Sequence, residues 1–264
     1  MDRAHLIYLT FNSERQIVNL PHLVGTAGEE LPILAVDNCS TDGSVDKMSE
    51  IGLTKIRRME ENLGFTGGIN HALGLAQAEW MVIANPDIRP MADGWLDKLL
   101  SVPHDVGIVG ARLSNDVQTS GGGRILVESE PLRRAISVPC MNGRVFSRHH
   151  LGWSRMSMNI GGMSDFTEAR EVPWVAFAMC ALRMGMIREI GPLDQNYWHF
   201  VSDQELCLRA WSRDWKVMYQ PVPFWHTGGA SMEFAPDYVS DYIRSDISRW
   251  CDVEHAHLRT SGWA

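Results

Sequence analysis

Between residues 5 and 113 short apolar runs take turns with amphipathic stretches, and this alternation constrains the fold more than any other feature. HLIYLTF (5–11), LPILAVD (31–37), TKIRRM (54–59), WMVIA (80–84) and VGIVGARL (106–113) read as strands. SERQIVNL (13–20, capped by Asn12 or Ser13), a short segment near 44–51, GGINHALGLAQA (67–78) and GWLDKLLS (94–101) read as helices between them. Strands separated by helices on short connections predict a mostly parallel central sheet covered on both faces. Ligands of such sheets sit beyond the carboxyl ends of the strands. Two acids fall there: Asp37 ends the second strand, and Asp87 follows the fourth in MVIANPDIRP.

The alternation lapses over 114–170, which carries seven arginines, no lysine and the run TSGGGR. Hairpins and loops are expected there, an irregular insertion whose arginines over 124–155 suit solvated loop charges or a phosphate-bearing ligand. Order resumes with a strand over 171–183, a helix over 184–191 ending at Gly191, an amphipathic helix over 203–215 and the strand KVMYQP (216–221). From Asp237 to His257, Tyr238, Tyr242, Ile243, Ile247 and Trp250 recur at helical spacing, as in a helix docked on the domain.

At 264 residues and 45% hydrophobic content the chain suits one large α/β domain with a sizeable core. A net charge of −8 leaves no basic excess to neutralise phosphates, so no nucleic-acid partner is expected. No apolar run is long enough to span a bilayer, and MDRAHLIYLTF lacks a secretory layout. Five scattered cysteines without metal-ligand spacing read as reduced thiols, and a cytoplasmic location follows as an expectation. Five acids against three arginines from 237 onward do not make a basic membrane-surface helix.

Taken singly, each polar motif has an ordinary structural explanation. Ser40, Thr41 and Asp42 in AVDNCSTDGS serve as turn and cap, but a turn does not need the acid Asp37 to end the strand. At that strand end Asp37 could accept hydrogen bonds from a base or ribose. ENLGFTGGINHAL places Gly64, Gly67 and Gly68 before a helix, which suits a tight turn or an anion. It matches neither the dinucleotide fingerprint nor a P-loop, which disfavours a nucleotide-dependent oxidoreductase. Asn70 within that helix is a candidate for facing a ligand. Asp87 fits a strand-terminating turn as well as a metal. Asp203 and Glu205 suit the first turn of a helix, and neighbours two apart can divide roles. His226, before Gly228 and Gly229, is either structural or completes a metal site begun by Asp87.

The order of these motifs is more specific than any of them. YLTFN, VDNCSTDGS, ENLGFTGGIN, a strand ending NPD, WV…LR, GPLD…DQELCLR and a histidine before GG-A-S resemble the family 2 glycosyltransferases of GT-A fold, especially the rhamnosyltransferase-like branch. The resemblance covers residues 5–113 and 171–231. It implies a single glycosyltransferase domain: a nucleotide-sugar-binding half (1–113), an acceptor and catalytic half (114–235) and a C-terminal helix (236–264). It further implies that Thr10, Asp37, Asn62, Gly67, Asn70 and Asn85 bind the donor nucleotide. Asp87 and His226 would hold a divalent metal, Mg²⁺ or Mn²⁺, with Asn85 at best a weak ligand. Asp203 would be the catalytic base of an inverting transfer.

The implied partners are a nucleotide-diphosphate sugar, dTDP- or UDP-linked, and a carbohydrate or glycolipid acceptor. A lipid-linked acceptor would be met by peripheral contact with the membrane. Ser202 stands where the family has Glu before the base, Phe177 where the branch has Gly, and Pro192-Leu193 where it has Gly-Phe. These departures fall on the acceptor side. They also motivate the alternative of a nucleotide-sugar-binding partner protein without transferase activity.

Overall fold

The computed structural model describes residues 2–114, 139–140, 144–145, 168–172 and 174–227, and all of 238–250 except 240, 243 and 247. Most of the arginine-rich insertion, Gly228 and Gly229, Ile243, Ile247 and residues 251–257 therefore lie outside the described residues.

The first half builds β1 (Asp2–Thr10), α1 (Leu20–Gly25), β2 (Ile33–Asp37), α2 (Ser44–Glu50), β3 (Ile56–Arg58), α3 (Gly64–Gly74), β4 (Ala78–Ala84), β5 (Ile88–Pro90), α4 (Trp95–Leu100) and β6 (Val106–Ser114). A two-strand hairpin, β7 (Pro139–Cys140) and β8 (Arg144–Val145), lies in the insertion, where hairpins were expected. The second half adds β9 (Arg170–Glu171), β10 (Met179–Arg183), α5 (Met184–Ile190), α6 (Ser202–Trp211) and β11 (Lys216–His226). The described residues within 238–250 are helical.

Nine strands form one sheet in the order β3-β2-β1-β4-β10-β6-β11-β5, with β9 also on β11. β1, β2, β3 and β4 are mutually parallel, and β6 is parallel to β11. β10 runs antiparallel between β4 and β6, so those two point the same way and six of the nine strands share one direction. The sheet therefore spans both halves of the chain, and the predicted α/β class with a mostly parallel central sheet is observed.

Strand periodicity explains the layers. In β1, Ile7 joins one core with Ile69, Met186 and Leu206 from α3, α5 and α6. Its neighbours Leu6 and Tyr8 join the opposite core with Leu23, Met48 and Leu99 from α1, α2 and α4. Trp95, fully buried, packs edge-on to Phe224 at 5.4 Å and donates its indole N–H to Leu23 O at 3.0 Å. Burying one such side chain contributes about 1.5–3 kcal/mol.

Three expectations need correction. The helix expected over 13–20 is instead a 3-10 turn (Ile17–Asn19) running into α1, because Pro21 starts a helix better than it continues one. The strand expected over 171–183 is split: β9 is two residues, and β10 begins only at Met179. The strand expected to stop at Pro221 continues to His226. A register shift between Tyr219 and Pro223 accommodates the two prolines, which cannot donate to a ladder.

Candidate active site

The loops after β1, β2 and β4 meet at the carboxyl edge of the sheet. With the start of α3 and the loop before α6 they surround an open cleft. Phe11, Asn38, Asn62 and Asn85 lie on its walls, faced by Phe65, Trp198 and His199.

Of the candidate donor residues, Asn62 and Asn85 line this cleft. Thr10 and Asp37 lie beneath it, both fully buried. Thr10 Oγ1 donates to Asp37 Oδ1 at 3.0 Å, Ser40 N donates to Oδ2 at 3.0 Å, and Ser40 Oγ donates to Oδ1 at 2.5 Å. Arg58 Nε lies 3.8 Å from Oδ2. The acid thus holds the β2–α2 turn, although a turn at this point was not expected to need it. Its neighbour Asn38 is the β2-end side chain on the cleft wall. Asn38 donates to Asn62 Oδ1 at 2.7 Å and to Gly64 O at 2.9 Å, and accepts from Leu63 N at 3.0 Å.

Gly67 and Asn70 face elsewhere. They line a second cleft, with Thr66, Gln195 and Tyr197, that shares Trp198 with the first. Asn70 is engaged on both ends of its amide: Nδ2 donates to Leu193 O at 2.8 Å and Leu193 N donates to Oδ1 at 3.0 Å. It therefore fixes the loop that carries Pro192 and Leu193.

Asp87 and His226 are brought together by the strand pair that sequence reading missed. β5 runs antiparallel to β11 with His226 opposite Ile88, so the residue before Ile88 meets the imidazole. Asp87 Oδ2 lies 3.5 Å from His226 Nε2, and Thr227 N donates to Asp87 O at 3.3 Å. Asp87 is 5% exposed. Burial pushes the His226 ionisation down against the opposing pull of Asp87, which favours the neutral imidazole that metals need. The same carboxylate, after burial, raises the ionisation of Tyr8 below it. One carboxylate oxygen and one neutral imidazole suit a divalent cation whose other ligands are phosphate oxygens or water. No group of three or more metal-ligating side chains occurs among the described residues.

Asp203 lies in the first turn of α6. Burial pushes its carboxyl up to about 7, with the backbone amides of Gln204, Asp203 and Phe177 pulling the other way. Gln204 N donates to its Oδ1 at 2.9 Å. Glu205 has the second role that its spacing allowed. It holds Arg209 through two 2.8 Å hydrogen bonds, and Arg209 in turn donates to the carbonyls of Ile190, Gly191 and Pro192 after α5.

Residues 6–191 match the sequence model of glycosyl transferase family 2. The chain belongs to that family. The match takes in β1 through α5 and ends before Asp203 and His226. No curated protein sequence matches this family 2 member.

Its fold is that of GT-A glycosyltransferases. The S. aureus TarS fragment 1–349 in complex with UDP-GlcNAc superposes with a TM-score of 0.57 at 16% identity, over 96% of this chain and 66% of that one. The mannosyltransferase PcManGT of Pyrobaculum calidifontis, with GDP-Man and Mn²⁺, gives 0.57 at 14% over 98% and 75%. GalNAc-T7 with UDP, GalNAc and Mn²⁺ gives 0.58 at 13% over 100% and 58%. In two further comparisons the chain spans 62% of TarS 1–349 and 38% of TarS.

Proposed function

We propose that this family 2 protein is an inverting glycosyltransferase of the rhamnosyltransferase-like branch. It moves a sugar from a nucleotide-diphosphate donor to an acceptor hydroxyl in polysaccharide or glycoconjugate synthesis. One observation carries the reading: Asp87 and His226, far apart in sequence, converge to 3.5 Å at the sheet edge where family 2 donors belong. The donor lies in the cleft of Asn38, Asn62 and Asn85, with its diphosphate directed toward Asp87 and His226. A divalent cation held by that pair, Mg²⁺ or Mn²⁺, would neutralise charge on the departing diphosphate.

Asp203 is the base. Its raised ionisation suits a group that must take a proton near neutral pH. It accepts the proton of an acceptor hydroxyl whose oxygen forms the new bond to the anomeric carbon. The bond to the diphosphate breaks on the opposite face, and the nucleoside diphosphate leaves with the electron pair. No covalent intermediate on the protein is required. The nucleotide sugars of the structural neighbours, UDP-GlcNAc and GDP-Man, and dTDP-sugars are the donors to try. Asn62, Asn85, Thr10 and Asp37 shape the donor side, the last two from below the cleft. Gly67 and Asn70 act through the adjoining helix and loop.

Asp203→Asn is expected to retain nucleotide binding and lose transfer by at least about 10³-fold, as removal of a positioned base does. Wild-type turnover in that variant would contradict the assignment. Nucleoside diphosphate release, assayed with and without candidate acceptors, separates the transferase from a binding protein, which would release none.

A further inference from the structure

The loop between α5 and α6 forms one wall of the cleft, through Trp198 and His199. Its local sequence does not explain its position. Val201, the last loop residue, sits at φ 56, a left-handed conformation that a β-branched residue enters at a cost of about 1–3 kcal/mol. Such a conformation persists only where the surroundings hold it.

The hold comes from the helical segment at 238–250. Asp246, 2% exposed, accepts three consecutive backbone N–H groups: Trp198 at 2.8 Å, His199 at 2.8 Å and Phe200 at 2.9 Å. Hydrogen bonds to an ionised acceptor are roughly twice as strong as neutral ones. Tyr242 stacks on the Trp198 ring at 4.6 Å and 14°, and Tyr238 meets it edge-on at 6.2 Å. Asn62 Nδ2 donates to Tyr238 Oη at 3.4 Å, and Val239 itself lines the cleft. Trp250, 1% exposed, seats the segment in the core against Tyr197 at 6.4 Å. On the other side Thr66 N donates to Trp198 O at 3.2 Å.

We propose that the C-terminal helical segment is a structural part of the donor site. Asp246 is a positioning residue that holds Trp198 and His199 against the bound nucleotide. It touches neither donor nor acceptor and acts only through the loop amides. The inference rests on the donor-cleft assignment above.

Hydrogen exchange and calorimetry test it on the full chain. UDP, dTDP and GDP are titrated with Mn²⁺, and the tightest binder to wild type becomes the probe. In Asp246→Asn the amides of 198–200 should exchange at least about tenfold faster, with β1 and β4 unchanged, and probe affinity should fall about tenfold. Asp246→Glu, which keeps the carboxylate, should recover part of both. Tyr242→Ala alters an exposed ring and should fold even if the first variant does not. It should weaken the probe severalfold. Unchanged exchange at 198–200 in Asp246→Asn, or wild-type probe affinity in either Asp246→Asn or Tyr242→Ala, overturns the proposal. Failure of wild type to bind any of the three nucleotides would instead strike the donor-cleft assignment, while the exchange result would still decide the anchoring.

Discussion

Burial pushes the Asp203 carboxyl up to about 7, and that shift has two consequences of opposite sign. In its proposed role as base it works only when ionised, so kcat/KM should rise with pH through an apparent pKa near 7 and level off above it. A rate independent of pH between 5.5 and 8.5 would remove Asp203 from the chemistry. For stability the direction reverses. The unfolded carboxyl ionises near 3.8, so between that value and about 7 the folded state binds more protons. The stabilising contribution is complete below pH 3.8 and is lost as pH rises through 7. Asp203→Asn should therefore be more stable than wild type at pH 8, by on the order of 1 kcal/mol or more, and closer to it at pH 5. Chemical denaturation at the two pH values measures this. Asp37 illustrates a different relation between an acid and its site. It stands at a strand end, as a ligand-binding acid would, yet its oxygens bond to Thr10 and Ser40 within the protein.

Backbone and side chain meet closely where α3 begins. Gly64 has φ 70, and a Cβ there would lie 2.2 Å from Trp198 O and 2.6 Å from its ring. Backbone and indole cannot both give way, so Gly64→Ala should cost at least about 2 kcal/mol. It should also weaken nucleotide binding, because Trp198 walls the cleft; equal melting temperatures for variant and wild type would contradict this packing. Most helices and central strands were legible because their periodicity is strong: 106–113 reads as a strand and is β6 with one added residue. β5 was not, since three residues ending in proline carry no period. β11 was cut short at Pro221 for the same reason, that prolines look like a strand's end when a bulge is not anticipated. Those two misses concealed how Asp87 reaches His226, although both residues were named from motif order. Asn38 was within reach, beside Asp37 in the same strand-end motif. The aromatic run at 197–200 marked Trp198 and His199 less clearly, and nothing local marks Asp246, whose partners lie more than forty residues earlier.

At the scale of the whole molecule, one sheet carries the cleft, the Asp87–His226 pair and the proposed base Asp203 to the same edge. β6, paired with β10 on one side and β11 on the other, joins the stretch that matches family 2 to the strand that ends at His226. Among the described residues no helix is long and apolar enough to cross a membrane. The central claim is that donor nucleotide binds at this edge through a metal held by Asp87 and His226. Calorimetric titration with UDP or dTDP, with and without Mn²⁺, tests it in wild type and Asp87→Ala. The account predicts binding by wild type only with the metal, and a loss of at least about 100-fold in Asp87→Ala. An Asp87→Ala titration that matches wild type in the presence of Mn²⁺ would contradict it.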